Sequence, residues 1–187
     1  MSLEKAFVVL RESQGRLVEM LKTLRDAVAA EERRPNPDLA LVDQRSEVVE
    51  NLIGLAEEAH ADGREGVVAS RPPIDIDAAR AALVKSQESF NSLSQGFNGH
   101  LASYDAMAEL AGIGMEHGPA WEAWAVRVWS AINGCVTPIY EVNQALFGCW
   151  REIAERAGMN SVSVRTTAIG QKITMPDRER ASSEGRI

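Results

Sequence analysis

The chain is poor in the residues that staple, span or catalyse. Cysteine occurs twice in 187 residues, at Cys135 and Cys149. The two lie within one expected helix, roughly 21 Å apart along its axis, too far to bridge inside it. Both read as small core residues of a reduced, cytoplasmic protein. No apolar run approaches the ~18 residues of a membrane span, and an amphipathic pattern begins directly after Met1. Neither a membrane segment nor a secretory signal is expected.

Positive charge is also scarce. The 20 Lys and Arg face 27 Asp and Glu, a formal net charge of −7. Residues 158–187 hold five basic and three acidic groups, which leaves fifteen against twenty-four, or −9, on residues 1–157. An acidic body repels nucleic-acid phosphates and anionic lipid, so neither is an expected partner.

Motifs that carry chemistry are missing too. Gly96 and Gly99 stand among helical residues with no preceding strand and no Gly-Lys-Ser/Thr, unlike a phosphate-binding loop. No hydroxyl stands in a recognisable nucleophile motif. A carboxylate-bridged di-metal site needs two Glu-x-x-His spacings, and Glu57-Glu58-Ala59-His60 supplies one. His100 follows Phe97, and His117 falls in an expected loop. His60 reads instead as a cation at a helix end. The expectation is a protein without catalytic residues, cofactor or metal.

What is there is helical periodicity, in a chain 45% hydrophobic and long enough for one ordinary core. Ser2 can cap a first helix over residues 3–32, whose seam runs Leu3, Phe7, Leu10, Gln14, Leu17, Leu21, Leu24, Val28. Gln14 sits either at the seam's edge or at a position that fixes a partner's register. Pro35 and Pro37 forbid continuation. Asp38 opens a second helix, 38–60, with Leu41, Arg45, Val48, Leu52, Leu55 and Ala59 on one side, ending before Asp62-Gly63. The short connection makes these two a long antiparallel hairpin. Residues 61–76 read as the longest internal loop.

Asp77 caps a third helix, 77–111, with Leu83, Phe90, Phe97, Leu101, Tyr104 and Ala108 on one face. Gly96 and Gly99 weaken it by roughly 1 kcal/mol each relative to alanine, or else admit a close neighbour. Gly118-Pro119 opens a fourth helix, 119–157, with apolar residues at 121, 124, 128, 132, 135, 139, 142, 146, 150 and 153. It holds all four tryptophans, Trp121, Trp124, Trp129 and Trp150, so it is expected to be the helix around which the others pack. Pro138 predicts a kink. In the tail, Val162, Val164 and Thr166 alternate with Ser163, Arg165 and Thr167 like a lone strand, and Met175 to Ile187 is polar. The expected architecture is an all-α antiparallel four-helix bundle over residues 1–157, with a long N-terminal hairpin, a kinked last helix and an irregular tail, 158–187.

Trp129 and Trp150 fall on a second apolar face of the fourth helix, beside Ile132 and Ile139. A helix with two apolar faces is either central in a bundle or shared with another chain. Leu10-Arg-Glu-Ser-Gln-Gly-Arg-Leu-Val-Glu-Met-Leu-Lys-Thr-Leu24, Leu41-Val-Asp-Gln-Arg-Ser-Glu-Val-Val-Glu-Asn-Leu52 and Asn143-Gln-Ala-Leu146 carry a resemblance. In these stretches and in its helix plan, residues 3–157 resemble the flagellar hook-associated-protein export chaperones, the FlgN-like family. The chain departs from that family in its tryptophan content and in its 160–175 segment.

The resemblance implies a cytoplasmic, non-enzymatic chaperone that guards an aggregation-prone client segment with its C-terminal helical region. Trp129, Leu146, Phe147, Trp150 and Ile153 are the positions that would accept an amphipathic helix. A homo-oligomeric scaffold, dimerising through the same aromatics, is the alternative partner reading. A secreted helical-hairpin substrate ranks third, since no Trp-x-Gly turn joins a helix pair.

Overall fold

The computed structural model of the protein describes residues 1–30, 39–112 and 119–157, and describes side chains there except at 39–42 and 102–125. Four helices make up the fold: α1 (Leu3–Ala29), α2 (Leu39–Ala69), α3 (Ile76–Gly112) and α4 (Pro119–Arg156). The expected caps at Pro35–Asp38, the turn at 113–118, the 158–187 tail and the side chains of Tyr104, Ala108, Trp121 and Trp124 lie outside the described residues.

Every member of the α1 seam is buried, Gln14 included. Ser2 caps the helix, its Oγ accepting from the Lys5 N–H at 3.3 Å. Gln14 is a register residue and not an edge one. Its Nε2 donates to Ser86 Oγ on α3 at 2.7 Å, and that hydroxyl donates to the Ala59 carbonyl of α2 at 3.2 Å. One buried amide thus joins three helices, a geometry that a slipped register would leave unpaired at a cost of about 1–3 kcal/mol.

The α2 boundary departs most from expectation. The helix runs nine residues beyond His60, to Ala69, and carries Asp62, Gly63 and Gly66 inside it. Those glycines are buried against α1. A Cβ on Gly66 would overlap the Phe7 ring, and one on Gly63 would meet Gln14 Oε1. They therefore serve close helix approach, and packing outweighs the ~1 kcal/mol each costs in a helix. The core face of α2 is correspondingly Val49, Leu52, Ile53, Ala56, Ala59 and Val67. Val48 and Leu55 pack from the flank, and Arg45 is buried.

The loop after α2 shrinks accordingly. The Ser70 N–H donates to Gly66 O at 3.0 Å, and Asp75 N–H donates to Ala69 O at 2.9 Å. Asp75, not Asp77, caps α3: its Oδ1 accepts from the Ala78 N–H at 2.9 Å. Within α3, Gly96 faces Leu52 Cδ2, which would lie 3.0 Å from an added Cβ, while Gly99 meets nothing within 4 Å. α4 passes through Pro138, which has no N–H to offer the carbonyl of Gly134.

Neighbours run antiparallel around the ring. On the α1–α2 side, Glu4 lies 3.2 Å from Arg71, Lys22 lies 3.5 Å from Glu57 and Arg25 lies 3.8 Å from Glu50. On the α1–α4 side, Met1 lies 3.3 Å from Glu152 and Arg16 lies 2.8 Å from Glu141. Most of these pairs are half exposed and contribute at most ~1 kcal/mol each, so they mark register more than they stabilise. α1 and α2 each pack broadly on two neighbours, whereas α4 packs broadly on α1 and only thinly on α3 among the described residues. The N-terminal hairpin is therefore the hub, not α4 as its tryptophan content suggested. Phe7, Leu10, Leu17, Leu21 and Leu24 fill the centre.

Replacing Gly66 with alanine is expected to destabilise by roughly 1–3 kcal/mol through overpacking on Phe7. Gly99→Ala is expected to stabilise by up to ~1 kcal/mol, since it adds helix propensity in open space. Urea unfolding midpoints give the comparison, and equal midpoints would contradict the close α1–α2 approach.

A candidate protein-binding face on the fourth helix

Two faces of α4 have different fates. Val128, Ile132, Cys135, Ile139, Val142, Leu146, Cys149 and Ile153 are all buried. Leu146 and Ile153, expected to contact a partner, are 4% and 2% exposed, because they belong to this inward stripe. They are corrected from binding to core positions. Ile132 and Ile139, expected beside the second face, are core as well.

The second face keeps Trp129, Phe147 and Trp150 of the expected residues and adds Val126 and Tyr140. Tyr140 is 61% exposed, Val126 52% and Phe147 44%. Trp129 and Trp150 are half-buried against the core's edge. With Asn133, Val136, Asn143 and Ala154 these positions step by three and four along the helix, so they form one stripe of their own. No acidic residue falls on it. Glu141 turns toward Arg16 of α1, and Glu152 turns inward beside Met1. The sequence carried this signal, since the spacing continues from Val126 to Ala154. The two asparagines and the stronger inward stripe masked it.

Among the described residues one side-chain hydrogen bond joins this stripe to α3. Trp150 donates its Nε1–H to Gln87 Oε1 at 2.6 Å. Helical spacing puts Asn91, Ser94 and Asn98 on the same side of α3 as Gln87. Ser94 Oγ is buried with no hydrogen-bond partner.

Elsewhere, an open depression of about 360 Å³ lies between α1 and the end of α2, lined by Arg11, Ala61, Arg64, Glu65, Val67, Val68 and Arg71. It has a cationic rim, but Arg71 already faces Glu4 and no acid–base pair points into it. It is remote from the aromatic stripe. Among the described residues no group of three or more His, Cys, Asp or Glu could hold a metal ion, and no helix is long and apolar enough to cross a membrane. Burial pushes the thiols of Cys135 and Cys149 up to about 12, far from a nucleophile's range. The chain matches no protein-family model, no curated protein and no solved structure.

Burial, aided by the charge of Arg45, lowers His100 to about 4. Between pH 6.5 and about 4 the unfolded chain binds this proton and the folded one does not. His100 therefore withdraws stability as pH falls through that window, up to roughly 3 kcal/mol. His60 is lowered in the same direction by burial, Arg64 and Arg11. The His100→Gln variant is expected to flatten part of the slope, read from urea midpoints on either side of the window. The two thiols are expected to resist aromatic disulfide reagents at mildly alkaline pH and to react fully once the chain is unfolded. Rapid native labelling would contradict their burial.

Proposed function

We propose that the protein is a non-enzymatic helical protein-binding module of the export-chaperone kind, whose α4 outer face holds an amphipathic segment of a client. One observation carries the reading. An acidic protein leaves an acid-free apolar stripe on one helix, exposed at Val126, Tyr140 and Phe147, with Trp129, Val136 and Trp150 half-buried beside them. Depletion of charge with enrichment of aromatics is the composition of an interface core. A partner helix laid along such a stripe would anchor at three- and four-residue spacing. The resemblance of the leucine seams to FlgN-like chaperones supports a client from the flagellar export route and a cytoplasmic setting, and the two buried free thiols suit that compartment.

Tryptophan fluorescence tests the proposal. Titration with amphipathic peptides, including C-terminal segments of hook-associated proteins, is expected to shift the emission as Trp129 and Trp150 lose water. Phe147→Glu is expected to weaken binding by ~10- to 100-fold, the equivalent of one lost aromatic anchor. Spectra that no peptide changes would overturn the reading.

A further inference from the structure

A second surface stands apart from α4, in the open depression between α1 and the end of α2. Along α2, Ala61, Arg64, Val68 and Arg71 follow one another at steps of three and four, so they share one outward face. Val68, at its centre, is 69% exposed, the most of any large apolar side chain among the described residues. Arg64 and Arg71 each stand about one turn from it, on opposite sides along the helix. A third cation comes from α1. The bare backbone at Gly63 lets Arg11 Cα stand 3.8 Å from where a Cβ would be, and that arginine reaches the rim.

These guanidiniums have donors to spare. Among the described residues no ion pair or hydrogen bond engages Arg64. Arg11 lies 3.9 Å from Glu12, beyond hydrogen-bonding reach. Arg71 gives Glu4 its Nε–H at 3.2 Å, which leaves the N–H groups of both terminal nitrogens. One carboxylate, Glu65, lines the same depression. Three cations against one acid reverse the balance of the whole chain, in which 27 acidic residues outnumber 20 basic ones. The field of the cluster is felt nearby: burial lowers the pKa of His60, and Arg64 and Arg11 lower it further.

We propose that this depression docks an acidic amphipathic helix of a partner protein, an aliphatic side chain on Val68 and carboxylates on Arg64, Arg71 and Arg11. The site is separate from the α4 face and does not rest on the function proposed for it. A bare anion would leave Val68 in water, whereas a leucine laid on it removes apolar area from both partners. Nucleic acid and anionic membrane carry long runs of negative charge, which a chain of net charge −7 repels everywhere outside the rim. A single helix brings its charge only where the arginines are. Arg64 and Arg71 are about 10.5 Å apart along α2. A helix laid alongside therefore meets them with carboxylates roughly seven residues apart and the aliphatic residue between. A depression of about 360 Å³ admits one side chain and its neighbours, and ion pairs on its rim stay partly wet. The contact is accordingly weak, quick to exchange and sensitive to salt.

Fluorescence anisotropy of a labelled helical peptide tests the site on the full chain. The probe carries one leucine flanked by glutamates at that spacing. Comparison peptides replace the glutamates with glutamine, or the leucine with serine. The acidic peptide is expected to bind with a Kd of ~10–100 μM at low salt, and at least ~10-fold more weakly at ~0.5 M salt. Arg64→Gln is expected to weaken binding ~10-fold, and Glu65→Gln to tighten it ~3-fold. Phe147→Glu changes net charge as much as Arg64→Gln does, and is expected to leave this affinity within about twofold. Arg64→Glu is expected to lose the acidic peptide and to accept one with lysine in place of the facing glutamate.

No binding at ~1 mM peptide would remove the site. Equal affinity for either comparison peptide would do the same. Equal losses in Arg64→Gln and Phe147→Glu would reduce the effect to net charge and overturn the proposal. A loss in Phe147→Glu with none in Arg64→Gln would put the peptide on α4, against the depression and in favour of the proposed function. Tighter binding of a single-stranded oligonucleotide, or of phosphatidylglycerol vesicles, than of the peptide would refute the acidic helix as occupant.

Discussion

The bundle depends on how closely α2 can approach α1. Along about one turn of α2 the side chains facing α1 are missing, and bare backbone at Gly63 and Gly66 receives Gln14 and Phe7. A phenyl ring packed on a glycine makes many close contacts at once, each worth ~0.1–0.2 kcal/mol. It also brings Gln14 within reach of Ser86, so that the same approach that packs α1 on α2 positions α3. Helix propensity opposes the arrangement by about 2 kcal/mol for the two glycines, and packing prevails. The remaining surface ion pairs follow from this register and do little to create it.

With α1 and α2 as hub, α3 and α4 complete the ring. α4 directs its stronger stripe at α1, from Val128 to Ile153. Among the described residues its second stripe is joined to α3 by the Trp150–Gln87 hydrogen bond. Tyr140 and Phe147 stay outside, and their exposure is the physical basis for the client reading.

The titratable groups in the core are shifted mainly by burial. His100 is held neutral, and the thiols of Cys135 and Cys149 are held protonated, by the same removal from water. Their shifts make the fold sensitive to acid and indifferent to thiol reagents. Neither group opens on the aromatic stripe.

Class and helix number were legible in the residues, because seams such as Leu3 to Val28 depend only on spacing. So was the existence of a second apolar face on α4, since Trp129 lies off the main stripe and shares a face with Trp150. What could not be read was which of two readings each ambiguous residue takes. Gly63 signals a helix end by propensity, and only the Gln14 side chain of another helix turns it into a contact. Leu146 and Phe147 are adjacent and similarly apolar, yet one is core and the other is surface. Local periodicity determined that α4 has two apolar faces. Which one α1 covers, and which is left to the solvent, was decided only by the tertiary fold, because burial depends on what the neighbouring helix presents and no helix encodes its neighbour.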